Sequence, residues 1–161
     1  MNWHPGARIL ANERGIFLST YSGLARRARD PDGVNAMLQA AATVDEIGAT
    51  LRLALGASRQ ISLEEIPIFF NPEKTNQAYK SWVAWMMRGL GYKTKRALFS
   101  NMKSIGISQL ADHYELRPSR HERLEGWSGE GVSPSDYVLL PLSATDAELG
   151  AGALLALGRC K

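Results

Sequence analysis

A single cysteine, Cys160, in 161 residues leaves no partner for an intramolecular disulfide, and so cysteine-poor a chain suits a reducing compartment. No apolar run approaches the roughly 18 residues of a membrane-spanning helix. The longest, LGAGALLALG at 149–158, is short and rich in glycine and alanine. The opening stretch MNWHPGARIL lacks the apolar core of a secretory signal. Charge of one sign is missing too: 19 Lys and Arg against 16 Asp and Glu give a net +3, too little by itself to imply a nucleic-acid partner. These absences predict a cytoplasmic protein with no membrane or nucleic-acid partner. What is present is ordinary for a globular chain, 45% hydrophobic and 22% charged. The length predicts a single domain over 1–161, large enough to bury roughly 70% of its unfolded surface without staples.

The chain reads as α+β. Strands are expected near 7–13, 15–21, 99–108, 113–118 and 136–141, forming a mixed or antiparallel sheet. Asn12-Glu13-Arg14-Gly15 supplies a hairpin turn, with Gly15 able to take positive φ. Ile16-Phe17-Leu18 is continuously apolar, as in a strand covered on both faces. Residues 22–35, SGLARRARDPDGVN, have the punctuation of a surface loop and are expected to be the most mobile segment. Thr43 with Glu46 and Ser62 with Glu65 fit capping boxes. Asn71-Pro72 opens the strongest helix, running to about Leu90 and closed by Gly89 or Gly91. Tyr79, Trp82, Val83 and Met86 form its core stripe, and Trp85 lies off that stripe, on a more exposed side. Leu110-Ala111-Asp112 turns the chain back into HYELR, and Tyr137–Leu140 suits a central strand.

One echo runs through the chain. ATVDEIGATLRLALGASR (42–59) and ATDAELGAGALLALGRCK (144–161) agree at nine of eighteen positions. Each follows an apolar strand, so the pair suggests a duplicated strand–helix unit laid on a sheet.

Signatures of chemistry are sparse. GWSG at 126–129 is followed by Glu130, where a nucleophile elbow needs glycine. No phosphate-cradling G-x-x-x-x-G-K-[ST] loop occurs. His4, His113, His121 and Cys160 lack zinc-ligand spacing, so neither metal nor cofactor is expected. A metal-free nuclease remains an alternative, with His113 and His121 exchanging protons beside Lys103. So does RNA binding through the acid-free stretch from Lys74 to Ala111, which carries seven cations.

Three blocks in order carry a more specific message: GYKTKRALFSNMKSIGIS (91–108), RPSRHERLEGWSG (117–129) and DYVLLPLSATDAELGAGALLALGRCK (136–161). Together they resemble the immunity proteins of bacterial contact-dependent growth inhibition. The resemblance implies a non-enzymatic cytoplasmic protein that binds one-to-one to the C-terminal toxin domain, commonly a nuclease, delivered by neighbouring cells. It transfers no list of contact residues. On physical grounds the segment 117–131 is the candidate partner surface, because Arg120, His121, Arg123 and Trp127 combine the residue types that anchor interfaces. Lys93, Lys95 and Arg96 extend it toward an acidic partner. If the partner is basic instead, Asp30 with Asp32, Asp45-Glu46 and Glu64-Glu65 are the carboxylate pairs on offer. Trp127 has two readings, a plug for the fold or an exposed anchor.

Overall fold

In the strand β1 (Gly6–Ala11) the neighbours Ile9 and Leu10 point to opposite sides, and both are buried. In β2 (Gly15–Gly23) the same holds for Phe17 against Ile16 and Leu18. A sheet whose strands are apolar on both sides must be covered on both faces, and it is. The computed structural model describes residues 3–161. It shows the expected α+β architecture. A seven-stranded sheet is built from β1, β2, β3 (Arg27–Arg29), β4 (Asn35–Gln39), β5 (Lys103–Gln109), β6 (His113–Arg117) and β9 (Val138–Pro141). Its order is β3-β2-β1-β5-β6-β9, with β3 pairing the end of β2 and β4 its beginning, and every ladder is antiparallel. A separate hairpin joins β7 (Arg120–Arg123) to β8 (Gly126–Ser128).

The first face carries α1 (Val44–Gly56) and α5 (Asp146–Gly158), the two echoed segments. Ile47, Leu51 and Leu55 of α1 meet Leu149, Ala153 and Ala156 of α5 over Ile9, Leu18, Ile105, Ile107 and Leu116. Each fully buried branched side chain contributes about 1.5–3 kcal/mol. The helices touch backbone to backbone. A Cβ added at Gly48 would overlap the Asp146 carbonyl, and one at Gly150 would overlap the Val44 carbonyl. Gly48 and Gly150 are equivalent in the echo, as are Val44 and Asp146. The contact therefore repeats itself with the two helices exchanged. Arg52 ties the pair, its Nε 2.9 Å from Asp146 Oδ1 while Nη2 donates to the Ala144 carbonyl and Nη1 to the Tyr114 hydroxyl.

The second face carries α3 (Pro72–Leu90) and α4 (Lys95–Phe99). Here Leu10 and Phe17 meet Val83, Met86, Leu98, Phe99 and Met102. Asn71 accepts from the Lys74 N–H at the start of α3, and Gly91 closes it at φ 73°. A short helix α2 (Ile66–Phe69) precedes it, opened by the reciprocal Ser62–Glu65 bonds.

Several expectations need correction. Residues 22–35 are not a mobile loop. They supply β3 and a turn held by Asp30, which is fully buried, accepts from Ser22 Oγ and Arg59 Nε at 2.8 Å each and from the Asp32 N–H at 3.0 Å. Burial raises the Asp30 pKa, but those three bonds outweigh it and hold the carboxyl below its ordinary value. Asp30 is thus unavailable to a partner. The expected strand 99–108 begins instead at Lys103, because Thr94 caps the Ala97 N–H at 3.1 Å and starts α4, too short a helix to show its period. The run Tyr137–Leu140 forms an edge strand rather than a central one, with Leu139 exposed. Gly15 does not take positive φ; it is needed because Leu90 and the Leu38 carbonyl press against it. Thr43 caps Glu46 without the return bond, whereas Thr145 and Glu148 make both halves of the box. Trp85 is half-buried, edge-on to Phe17 at 6.0 Å between ring centroids.

Candidate functional site

Beyond α3 and α4 the second face turns polar. The register places Arg8 of β1 opposite Gly106 of β5, and Gly106 opposite Arg117 of β6. A glycine between two arginines leaves a hollow in the sheet surface, and both guanidinium groups lie over it. A Cβ at Gly106 would stand 3.0 Å from Arg117 Nη2 and 3.5 Å from Arg8 Nη2. One row along, Gly6 plays the same part for Arg27, whose guanidinium occupies the space a Cβ would fill. The result is a niche of about 210 Å³ walled by Arg8, Tyr21, Arg27, Gly106 and Arg117.

Hydrogen bonds fix the three cations. Arg8 Nη1 donates to Ser104 Oγ at 2.6 Å, and Arg27 Nη2 and Arg117 Nη1 both donate to Ser108 Oγ at 2.9 Å. Arg27 Nη1 also donates to the His4 carbonyl at 3.0 Å. Among the described residues Glu115 is the one carboxylate paired with any of them, 3.1 Å from Arg117. Burial first, then the neighbouring Arg117 and Arg8, draw the Arg27 pKa below its ordinary value. Three cations held together with one counter-charge form a preorganised anion-accepting surface.

The niche opens into a groove of about 920 Å³ between β3, α2 and the first turns of α3. Tyr21 and Arg27 line both. Arg29 lies 4.7 Å above the Trp82 ring and donates to the Ala78 carbonyl at 3.2 Å. Phe69, Lys74 and Tyr79 complete the nearer walls. The Trp82 indole N–H is buried there without an acceptor among the described residues.

Of the segment nominated from sequence, Arg117 walls the niche, and the residues after it form the β7–β8 hairpin packed on the second core. Trp127 on β8 donates its indole N–H to the Met102 carbonyl at 3.0 Å, packs edge-on to Phe99, and stacks on His121 at 4.8 Å and 11°. Trp127 is therefore a plug, joined to the second core. His121 Nε2 lies 2.9 Å from the Leu124 carbonyl and tightens the hairpin. Arg120 pairs with Glu122 at 3.5 Å, and Arg123 is exposed. Lys95 reaches across from α4 to Glu125 at 3.5 Å, and that residue also accepts from the Tyr79 hydroxyl at 2.6 Å. Lys93 and Arg96 are exposed beside them. Among the described residues no group of three or more His, Cys, Asp or Glu is placed to hold a metal ion, and no helix is long and apolar enough to cross a membrane.

Sequence reasoning missed Arg8, and missed that Arg27 and Arg117 converge on it, because nothing local announces that β1, β5 and β6 are neighbours. One signal was available. Gly106 inside the apolar run SIGIS marks a place where something must approach the backbone closely.

Three fixed cations on an open stretch of sheet face form a surface able to accept an anionic group. Residues 6–160 match the CDI immunity protein family, and the chain belongs to that family. It is 36% identical to Immunity protein CdiI-YPIII of Yersinia pseudotuberculosis serotype O:3, over 96% of this chain and 94% of that one. Among solved structures it superposes with a TM-score of 0.92 on a protein of unknown function from Neisseria meningitidis, at 37% identity and over the whole of both chains. It also superposes with a TM-score of 0.90 on a chain of a CdiA-CT/CdiI toxin and immunity complex from Yersinia pseudotuberculosis, at 33% identity and 99% coverage of each.

Proposed function

We propose that this chain is the cytoplasmic antidote to the C-terminal toxin domain of a contact-dependent growth inhibition effector, which it inactivates by binding one-to-one. The observation that carries this reading is the family match over 6–160, supported by the whole-chain likeness to a member of a toxin and immunity complex. Residues 1–161 act as one immunity domain. The chain works by occupancy and performs no chemical step of its own. A nuclease activity of the toxin is inferred from the resemblance of the sequence blocks to the family. Arg120 and Arg123, with Lys93, Lys95 and Arg96 alongside and His121 and Trp127 beneath, are one surface offered to the toxin.

Co-expression with the reading frame immediately upstream tests the proposal. That frame alone should stop growth, and adding this chain should restore it and yield an equimolar complex on gel filtration. Growth arrest that persists with both genes expressed would overturn the reading. Loss of intact cellular RNA or DNA in the arrested cells identifies the toxin as a nuclease. Intact nucleic acid in arrested cells removes the nuclease clause and leaves the binding role in place.

A further inference from the structure

We infer that the Arg8–Arg27–Arg117 niche is the anchor of the toxin interface and that it takes a side-chain carboxylate of the toxin. This rests on the antidote reading and adds the surface and the chemistry of the group it accepts. Three features carry it. The sheet surface is hollowed by Gly6 and Gly106, so guanidinium groups lie where side chains would otherwise stand. The three cations converge there, and the one acid paired with any of them, Glu115, is engaged by Arg117 alone. The hydroxyls of Ser104 and Ser108 and the His4 carbonyl hold the guanidinium groups in place before any partner arrives.

Such a site lacks one negative group. Gathering like charges on a half-buried face is unfavourable until an anion enters, and a planar carboxylate matches the guanidinium fork. The volume of about 210 Å³ has room for one acidic side chain but not for a length of nucleic-acid strand. A duplex or single strand would need cations spaced along a track. Of the other cations lining the adjoining groove, Arg59 is spent on Asp30 and Arg29 on the Asn35 amide oxygen and the Ala78 carbonyl, which leaves Lys74 and no continuous track. The adjoining groove, with Arg29 laid on Trp82 and Phe69 opposite, continues from the niche and would seat the residues flanking the anchor.

The test uses the complex obtained by co-expression with the upstream toxin domain, separated and recombined. The variants R8Q and R117Q keep length and a donor while removing charge. Each should weaken toxin binding at least tenfold by titration calorimetry, and the double variant at least a hundredfold, with melting temperature within about 2 °C of wild type. Wild-type affinity in the double variant overturns the proposal while the antidote reading stands. Failure of the wild-type chain to bind the toxin overturns both. If the variants unfold, arginine-specific labelling of the unaltered chain decides. Modification of Arg8, Arg27 and Arg117 by phenylglyoxal should fall at least tenfold in the complex, and equal labelling with and without toxin overturns the proposal. Tight binding of a single-stranded RNA oligomer that R8Q/R117Q abolishes would likewise overturn it.

Discussion

The two faces of the sheet are covered by different means. On the first, two glycine- and alanine-rich helices approach until their backbones meet, and the layer is nearly closed. On the second, bulky Phe, Trp and Met side chains fill a wider gap under α3 and α4, and part of the face stays open. Small residues give a shape that admits no additions, while large flexible ones give a core that adapts. The difference separates stability from recognition. The first face is committed to the fold, and the open part of the second is where charged side chains stand ready for another molecule.

The largest expected effect breaks the helix contact. Gly48→Ala or Gly150→Ala drives a methyl into a carbonyl of the other helix and should cost about 3 kcal/mol, lowering the melting temperature by roughly 6–12 °C for a chain of this size. Gly56→Ala on the same helix meets nothing within 4 Å and should leave the melting temperature unchanged or slightly raised. Equal changes at positions 48 and 56 would show that close approach of the two helices does not set the requirement.

Trp127→Ala tests the adaptable core. It removes an aromatic plug and leaves the Met102 carbonyl unpaired, for a loss of about 3 kcal/mol by chemical denaturation. Trp127→Phe keeps most of the volume and should lose about 1 kcal/mol, the value of the hydrogen bond.

Asp30→Asn should cost about 2 kcal/mol at pH 7, since three bonds to a carboxylate are weakened. The folded-state pKa lies below the ordinary 3.8, so the folded chain holds its proton less tightly than the unfolded one. Its stabilising contribution is complete above that ordinary value and disappears as pH falls through the lower folded value. Denaturation curves of wild type and variant should converge in that acid window. A gap independent of pH would sink this account. The smallest effect is expected from Arg120→Ala with Arg123→Ala, two exposed side chains whose joint loss should move the melting temperature by no more than about 2 °C; binding measured on the same protein then reports the interface alone.

How much of this the sequence disclosed follows from the range of each interaction. Helix starts were legible because a cap acts over three residues, as Asn71, Thr145 and Ser62 show. The two-sided burial of Ile16–Leu18 was legible because it is an unbroken run. The echo pointed to two helices laid on the sheet, where Gly48 and Gly150 serve each other, but not to a repeated strand–helix unit, since β3 and β4 lie between Ile16–Leu18 and α1. Strand order was not legible, and Tyr137–Leu140 was misplaced because hydrophobicity does not distinguish an edge from a centre when a helix covers one side. Residues 22–35 misled because their polarity is internal: Asp30 satisfies Ser22, Arg59 and its own turn. The nominated hairpin proved to be partly structural at Trp127 and His121, while the arginine niche needed three strands brought from distant parts of the chain.

The pairing of β1 with β5 has a consequence in time. Arg8 and Ser104, hydrogen-bonded across that pair, are 96 positions apart, and between them lie β2, β3, β4 and four helices. Closing so long a loop is among the slower events of folding, and none of the intervening elements needs the niche in order to form. The arginine-lined hollow therefore exists only once the middle of the sheet has zipped together. An incomplete chain emerging from the ribosome has no such surface, and a folded one loses it as soon as the central ladder opens. Whatever binds there holds the ladder shut, so capture of a partner and protection against unfolding and proteolysis rise and fall together.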